Sequence, residues 1–328
     1  MEEFAGALGL SRSTVSYILN DKWQDRHISE KTALKVQEFA RKVNFTPSLF
    51  GRALKGKICT DAAILIPPHM YEHHRDTFFA LLDLFEQQEL SYLVLPLRAN
   101  RGDEITVRQL QTFRVSRVII FAATLNSDEL NQWEKVMRSL PEINWFLYDH
   151  RMEYGLNREF FPDNVQAVGF DRIAAFKMLI RHVGSKGYSK LCYRAPFYTD
   201  DQTAMVADEA GLELHGIAAG KSWEEFADKV EGELKNCCSC ALFFPDDLCA
   251  IKLIQLLQVR RWQIPGDAGV ISWDGLQVSS HFAPVPETLA IPHDRMRLVT
   301  EKFLAGEDGG FEELHPEIRA GKTLPELK

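Results

Sequence analysis

Residues 8–20, LGLSRSTVSYILN, decide how the rest of the chain is read. Just upstream, Phe4, Ala5 and Leu8 recur at helical spacing, and Gly9 interrupts them where a turn is needed. Ser11 stands where an N-cap belongs. After it Val15, Ile18 and Leu19 fall on one helical face, which leaves Arg12, Ser13, Ser16 and Tyr17 elsewhere on the helix. A third segment opens at Ser29, another N-cap position, carries Ala33, Val36, Phe39, Ala40 and Val43 inward, and stops before Pro47. Three short helices sharing one small core follow. A helix, a glycine turn and a polar second helix have the form of a helix-turn-helix DNA reader. A three-helix bundle used for protein contacts has the same periodicity, so spacing alone leaves both readings open.

Charge is distributed to match the first reading. The 328 residues carry a formal net charge of -8, yet up to Thr60 ten Lys or Arg face six Asp or Glu, a balance of +4. The remaining residues, with 28 basic and 40 acidic side chains, stand at -12. A small anion-binding module joined to an acidic body is the expectation. A hydrophobic content of 45% is enough to bury at least one large core, and the length calls for two or three globular units. The first residues, MEEFAGAL, are acidic without a long apolar run, and no stretch of about 18 uninterrupted apolar residues occurs. A cytoplasmic protein without a membrane partner is expected. Cys237, Cys238 and Cys240 lack a partner pair at zinc-finger spacing and abut the apolar run 241–244, so they read as reduced, partly buried thiols.

After Cys59 short apolar runs alternate with amphipathic stretches. Strands are expected at 62–66, 92–95, 117–121, 144–148, 190–193, 241–244 and 269–273, with a helix around 77–88. Parallel sheets with covering helices follow from that alternation. Ligands of open α/β sheets sit beyond the carboxyl ends of strands, where this sequence places His69 and Tyr71, Asp149, Asp246 and Asp247, and Asp274. Helix N-capping is the competing use for each acid.

The segments LGLSRSTVSYILN and ISEKTALKVQEFARKVNFTPS (28–48) resemble the N-terminus of the LacI/GalR, or lactose-repressor, family. The resemblance continues into GRALK at 51–55, AVGFDR at 167–172 and GDAGVISWDG at 266–275. It implies a helix-turn-helix domain over 1–46, a hinge helix and linker over 47–60, and a bilobed body like the periplasmic sugar-binding proteins over 61–328. The first lobe would hold about 61–150 plus the 284–292 region, and the second about 151–283 plus a C-terminal strand. The implied function is a homodimeric, sequence-specific transcriptional repressor that binds a near-palindromic operator in double-stranded DNA and answers to a sugar-like effector, with no cofactor.

By residue, the resemblance places Arg12, Ser13 and Tyr17 at base-reading positions in the major groove, each good bidentate contact being worth about 1–3 kcal/mol of discrimination. Ser11, Thr14, Ser16 and Asn20 would hold phosphates or fix the turn, and Ser29 and Thr32 would add phosphate contacts at a helix start. Leu54 would wedge into a minor-groove step, flanked by Arg52, Lys55 and Lys57 on the backbone. His69, Tyr71, Asp149, Asp246 and Asp274 would line the effector cleft.

The sequence departs from the family pattern at Ser48 and Gly51 in the hinge. It departs again at 197–211, FYTDDQTAMVADEAG, where the family's effector-holding arginine is missing. An effector-independent regulator with a degenerate pocket therefore stands as the alternative. An enzyme finds no support, because no G-x-G-x-x-G or G-x-S-x-G occurs and Gly321-Lys322-Thr323 lacks the context of a phosphate loop; of His69, His73 and His74, which could suggest a metal, two are adjacent and cannot share one helical face.

Overall fold

The computed structural model describes every residue except 1, 20–21, 44–59, 69–71, 98–102, 156–157, 196, 198–199 and 328. Asn20, Arg52, Leu54, Lys55, Lys57, His69 and Tyr71, and with them the expected hinge helix, lie outside the described residues. The chain divides into two units, one of Met1–Cys59 with Thr112–Arg114 and a body of Thr60–Gln111 with Val115–Lys328.

In the N-terminal unit α1 (Glu2–Leu8), α2 (Arg12–Leu19) and α3 (Glu30–Lys42) bury one common core. Phe4, Ala5, Val15, Ile18, Ala33, Val36 and Ala40 fill it, with Leu8, Leu19 and Phe39 packed at its margin. The Phe4 ring meets Phe39 edge-on at 5.0 Å. Gly9 carries a φ of +66°, the left-handed turn conformation that a side chain disfavours. Val43, read from spacing as inward, is instead 47% exposed, because it is the C-cap of α3 and has left the helical phase.

The body contains two six-stranded sheets. The first comprises β1 (Thr60–Ile66), β2 (Tyr92–Pro96), β3 (Val115–Phe121), β4 (Asn144–Arg151), β5 (Val165–Phe170) and β11 (Phe311–Glu313), in the order β11-β5-β4-β3-β1-β2. The second comprises β6 (Lys190–Ala195), β7 (Glu213–Ala218), β8 (Cys240–Phe243), β9 (Gly269–Asp274), β10 (Glu287–Ala290) and β12 (Glu317–Arg319), in the order β12-β10-β9-β8-β6-β7. Every pairing is parallel except β10 with β12. Helices cover both faces, which is why strands such as β4 and β9 are buried almost continuously instead of alternating.

On the first sheet, α4 (Glu72–Gln87) and α11 (His293–Leu304) pack one face, while α5 (Asp103–Phe113) and α6 (Ser127–Ser139) seal the other with Leu110, Leu130, Trp133 and Met137. On the second, α7 (Arg172–Ser185) and α8 (Asp201–Glu209) oppose α9 (Trp223–Leu234) and α10 (Asp247–Val259). The chain passes between the sheets three times, after β5, after β10 and after β11.

This topology corrects the lobe boundaries inferred above. Residues 151–170 belong to the first sheet through β5, and β10, within 284–292, belongs to the second. The first crossing therefore follows Phe170. Beyond the expected strands the structure adds β5, β7, β10, β11 and β12.

Candidate nucleic-acid interface and effector site

The polar face of α2 is built from its cap outward. Ser11 Oγ accepts the Thr14 amide at 3.0 Å and lies 2.8 Å from both Ser13 Oγ and Thr14 Oγ1, so one hydroxyl fixes the first turn. Val15 and Ile18 are wholly buried, which turns Arg12 and Ser13 to the exposed side and leaves Ser16 and Tyr17 half-buried beside them. The Arg26 guanidinium sits 4.8 Å from the centre of the Tyr17 ring and holds it by a cation–π contact. Arg26 escaped the sequence reading because it lies in the turns after α2, where no periodicity links it to Tyr17. At the start of α3, Ser29 Oγ accepts the Thr32 amide at 3.3 Å and is 2.8 Å from Thr32 Oγ1. Two hydroxyls thus stand at the positive end of that helix.

In the body the acids expected beyond the strands meet different fates. Asp149 does not follow β4; it lies inside it, at a bulge where the register shifts between Tyr148 and His150. Its φ is +56° and its side chain is 2% exposed. The bulge needs Gly169 on the neighbouring strand, because a Cβ there would collide with the His150 carbonyl. The Asp149 carboxylate is held on both sides, by His74 Nε2 at 2.8 Å from Oδ2 and by an Arg172 guanidinium nitrogen at 2.7 Å from Oδ1.

His74, completely buried in α4, meets Phe121 edge-on at 5.3 Å. Arg172, the first residue of α7, lies over the Phe170 ring at 4.5 Å and donates its amide to Glu153 Oε2 at 3.2 Å. These partners lie 75 and 23 residues from Asp149, so spacing gave no signal for either. Beside them burial drives the Tyr148 hydroxyl well above its ordinary range, although Thr77 hydrogen-bonds it at 2.8 Å.

Asp246 caps α10, accepting the Cys249 amide at 2.6 Å. Its neighbour Asp247 is fully buried and accepts from Ser272 Oγ, Thr288 Oγ1 and the Leu276 amide at 2.5, 2.8 and 2.6 Å. Burial raises its pKa above the ordinary carboxylate value despite those donors. Asp274 ends β9 with a φ of +103°, is 3% exposed, and accepts the Ile291 amide on its carbonyl at 3.0 Å. Aromatic rings dominate the same strand ends. Phe197 packs 4.7 Å from Phe243, 4.9 Å from Phe176 and 5.9 Å from Trp273, and Trp273 reaches Phe170 at 6.1 Å. Phe170 ends a strand of the first sheet and Trp273 lies near the end of one in the second, so rings join the two lobes.

Comparison with known proteins places these features. The model for bacterial regulatory proteins of the lacI family matches residues 1–48. Along the whole chain the repressor PurR of Aliivibrio salmonicida is 21% identical, covering 100% of this chain and 99% of that one. The chain is similar to LacI-family regulators, through the family model at its N-terminus and in fold along its length. The ribose operon repressor of Escherichia coli K12 is 24% identical over 90% of this chain and 89% of its own length. In fold, a LacI-family regulator from Silicibacter pomeroyi superposes with a TM-score of 0.72 at 17% identity, covering 99% and 98% of the two chains. The lac repressor dimer bound to operator and the anti-inducer ONPF does so at 0.70 and 16%, covering 98% of each. No described helix is long and apolar enough to cross a membrane.

Proposed function

We propose that this chain is a LacI-family transcriptional repressor that works as a homodimer on a near-palindromic operator and is controlled by a small molecule held between the two lobes. The observation that carries the reading is α2, which turns Arg12 and Ser13 outward from a buried Val15 and Ile18, in a domain matched to the lacI model. On DNA that helix enters the major groove; Arg12 and Ser13 read base edges, Tyr17 joins them as steadied by Arg26, and Ser29 and Thr32 hold phosphate. Leu54 would wedge between base steps, with Arg52 and Lys55 on the backbone.

The effector side of the reading rests on the bilobed fold and on similarly folded proteins with a small molecule bound, the lac repressor dimer with its anti-inducer ONPF among them. A sugar-like ligand would meet the strand ends near Asp149 and Asp274. The effector-independent alternative is favoured by one observation, that the carboxylates of Asp149, Asp246 and Asp247 are already engaged inside the protein. Selection of bound duplexes from a random library by the full-length protein tests DNA reading: an enriched palindrome supports it, and no enrichment with or without added metabolites defeats it. A thermal-shift screen of sugars and related metabolites then separates the two effector readings, because only a bound ligand raises the melting temperature by mass action.

A further inference from the structure

A second cluster of reactive side chains lies away from both sites, on the face of the second sheet covered by α9. Lys190 and Cys192 alternate along β6, and the register sets Glu213 and His215 of β7 beside them and Cys240 of β8 opposite Lys190. Glu233 of α9 closes over the group, 2.8 Å from Lys190 Nζ and 3.3 Å from His215 Nε2. Inside this ring of charge Cys192 and Cys240 are 1% and 0% exposed, and their sulfurs lie 3.5 Å apart. A core needing only volume would be filled as well by alanine or valine. Two thiols in contact beside a lysine and a histidine have a chemistry of their own. The contact with Cys192, reinforced by Lys190, holds the Cys240 thiol below its ordinary value against the opposing effect of burial. Among the described residues no group of three or more His, Cys, Asp or Glu could hold a metal ion.

We propose that Cys192 and Cys240 form a reversible disulfide in response to hydrogen peroxide, and that this bond adjusts the DNA affinity of the protein. The Cys240 thiolate attacks one peroxide oxygen and breaks the O–O bond, becoming a sulfenic acid while hydroxide leaves and is protonated to water. Cys192 then attacks the sulfenic sulfur, the S–S bond forms, and the displaced hydroxide takes up the Cys192 proton as a second water. Two thiols and one peroxide thus give one disulfide and two waters.

The geometry makes this bond a lever. The sulfurs must close from 3.5 Å to about 2.05 Å. Cys192 stands two residues beyond Lys190, the partner of Cys240 on the parallel strand, so a rise of about 3.3 Å per residue and a strand spacing of about 4.8 Å set their Cα atoms about 8 Å apart; a disulfide spans up to about 6.8 Å, so closure shears β6 along β8 by about one to two ångströms. Beyond Ala195 the first of these strands leads to Phe197; beyond Phe243 the second leads to the Asp246 cap of α10. Those are the strand ends that face the candidate effector site. The strain also keeps the bond reducible by cellular thiols.

The test uses the full-length protein, reduced, treated with hydrogen peroxide and alkylated after denaturation. The expected result is a mass loss of about 2 Da, two fewer alkylated cysteines, a linked peptide pair containing Cys192 and Cys240, and full reversal by dithiothreitol. Cys192→Ser and Cys240→Ser each abolish the bond and Cys238→Ser does not; should serine unfold so dry a position, Cys192→Ala and Cys240→Ala replace them. Unchanged alkylation, a 16 Da adduct alone, or a link through Cys237 or Cys238 overturns the disulfide. The regulatory half rests on the DNA-binding reading and is measured separately, on the operator selected above. Oxidation should change its affinity by about fivefold or more, reversibly and only in protein carrying both cysteines. Equal affinity of the reduced and oxidised forms overturns that half and leaves the mass result standing.

Discussion

Asp246 and Asp247 are adjacent, carry the same charge and lie beyond the same strand, yet one caps a helix at the surface while the other is sealed in the core. The helix phase of α10 separates them. Asp247 ties α10 to β9 and β10 through Ser272 and Thr288, so Asp247→Ala removes the acceptor of three buried donors. Loss of about 3 kcal/mol is expected, read as a lower urea midpoint, and Asp247→Asn should cost less than half of that because it keeps an acceptor without a buried charge. Arg12→Ala acts on another quantity. It should leave stability within about 0.5 kcal/mol while relaxing preference at one base position per half-site by about 1–3 kcal/mol, measured by competition between operator variants.

At the scale of elements, what could be read in the chain was whatever depends on neighbours within a few residues. The three N-terminal helices, their caps at Ser11 and Ser29 and the long apolar strands of both sheets follow from local periodicity and cap chemistry. Ser29→Ala should therefore cost about 1 kcal/mol of stability in thermal unfolding, besides removing a hydroxyl from the candidate phosphate contact. Elements defined by distant partners were not legible. β10 is buried throughout although its sequence is ETLA, because Glu287 is satisfied by His182, Lys186 and the Gly321 amide, all brought from elsewhere in the chain. β11 and β12 are three residues each and exist only as additions to sheets already formed.

The Asp149 bulge is likewise invisible from β4 alone, since Gly169 on β5 makes room for it. Gly169→Ala should cost more than about 3 kcal/mol, or prevent folding, as judged by the circular-dichroism melt. For the candidate sites the division is the same. Arg12, Ser13 and Ser29 could be placed from their own helices, whereas the engagement of Asp149 by His74 and Arg172 required the assembled sheet.

For the whole molecule, charge asymmetry and acid response are the testable properties. On the proposed reading a +4 unit joined to a -12 body meets a polyanion, so operator affinity should fall steeply with salt. A dimer neutralising about six to ten phosphates loses about 10³–10⁵ in affinity between about 50 and 200 mM salt, and a flat dependence in filter binding would contradict the assignment. Acid should strike the body through Glu287. Burial pushes that carboxyl up, but hydrogen bonds from His182, Lys186 and the Gly321 amide outweigh it and hold the group below its ordinary value. A depressed carboxylate stabilises the fold fully above its unfolded value and loses that contribution as pH falls through the folded one. Urea midpoints measured from about pH 6 down to about pH 3 should fall less steeply for Glu287→Gln than for the wild type.

The three passages between the sheets, after β5, β10 and β11, make the body behave like a door hung on three pins. A single connection would let the lobes twist, slide and separate. Three of them, each leaving from a different strand, restrain twisting and sliding of one sheet past the other more than one would. A nick in any one of them leaves two pins in place, so a protease that cuts once there should give fragments that stay together until the protein is unfolded.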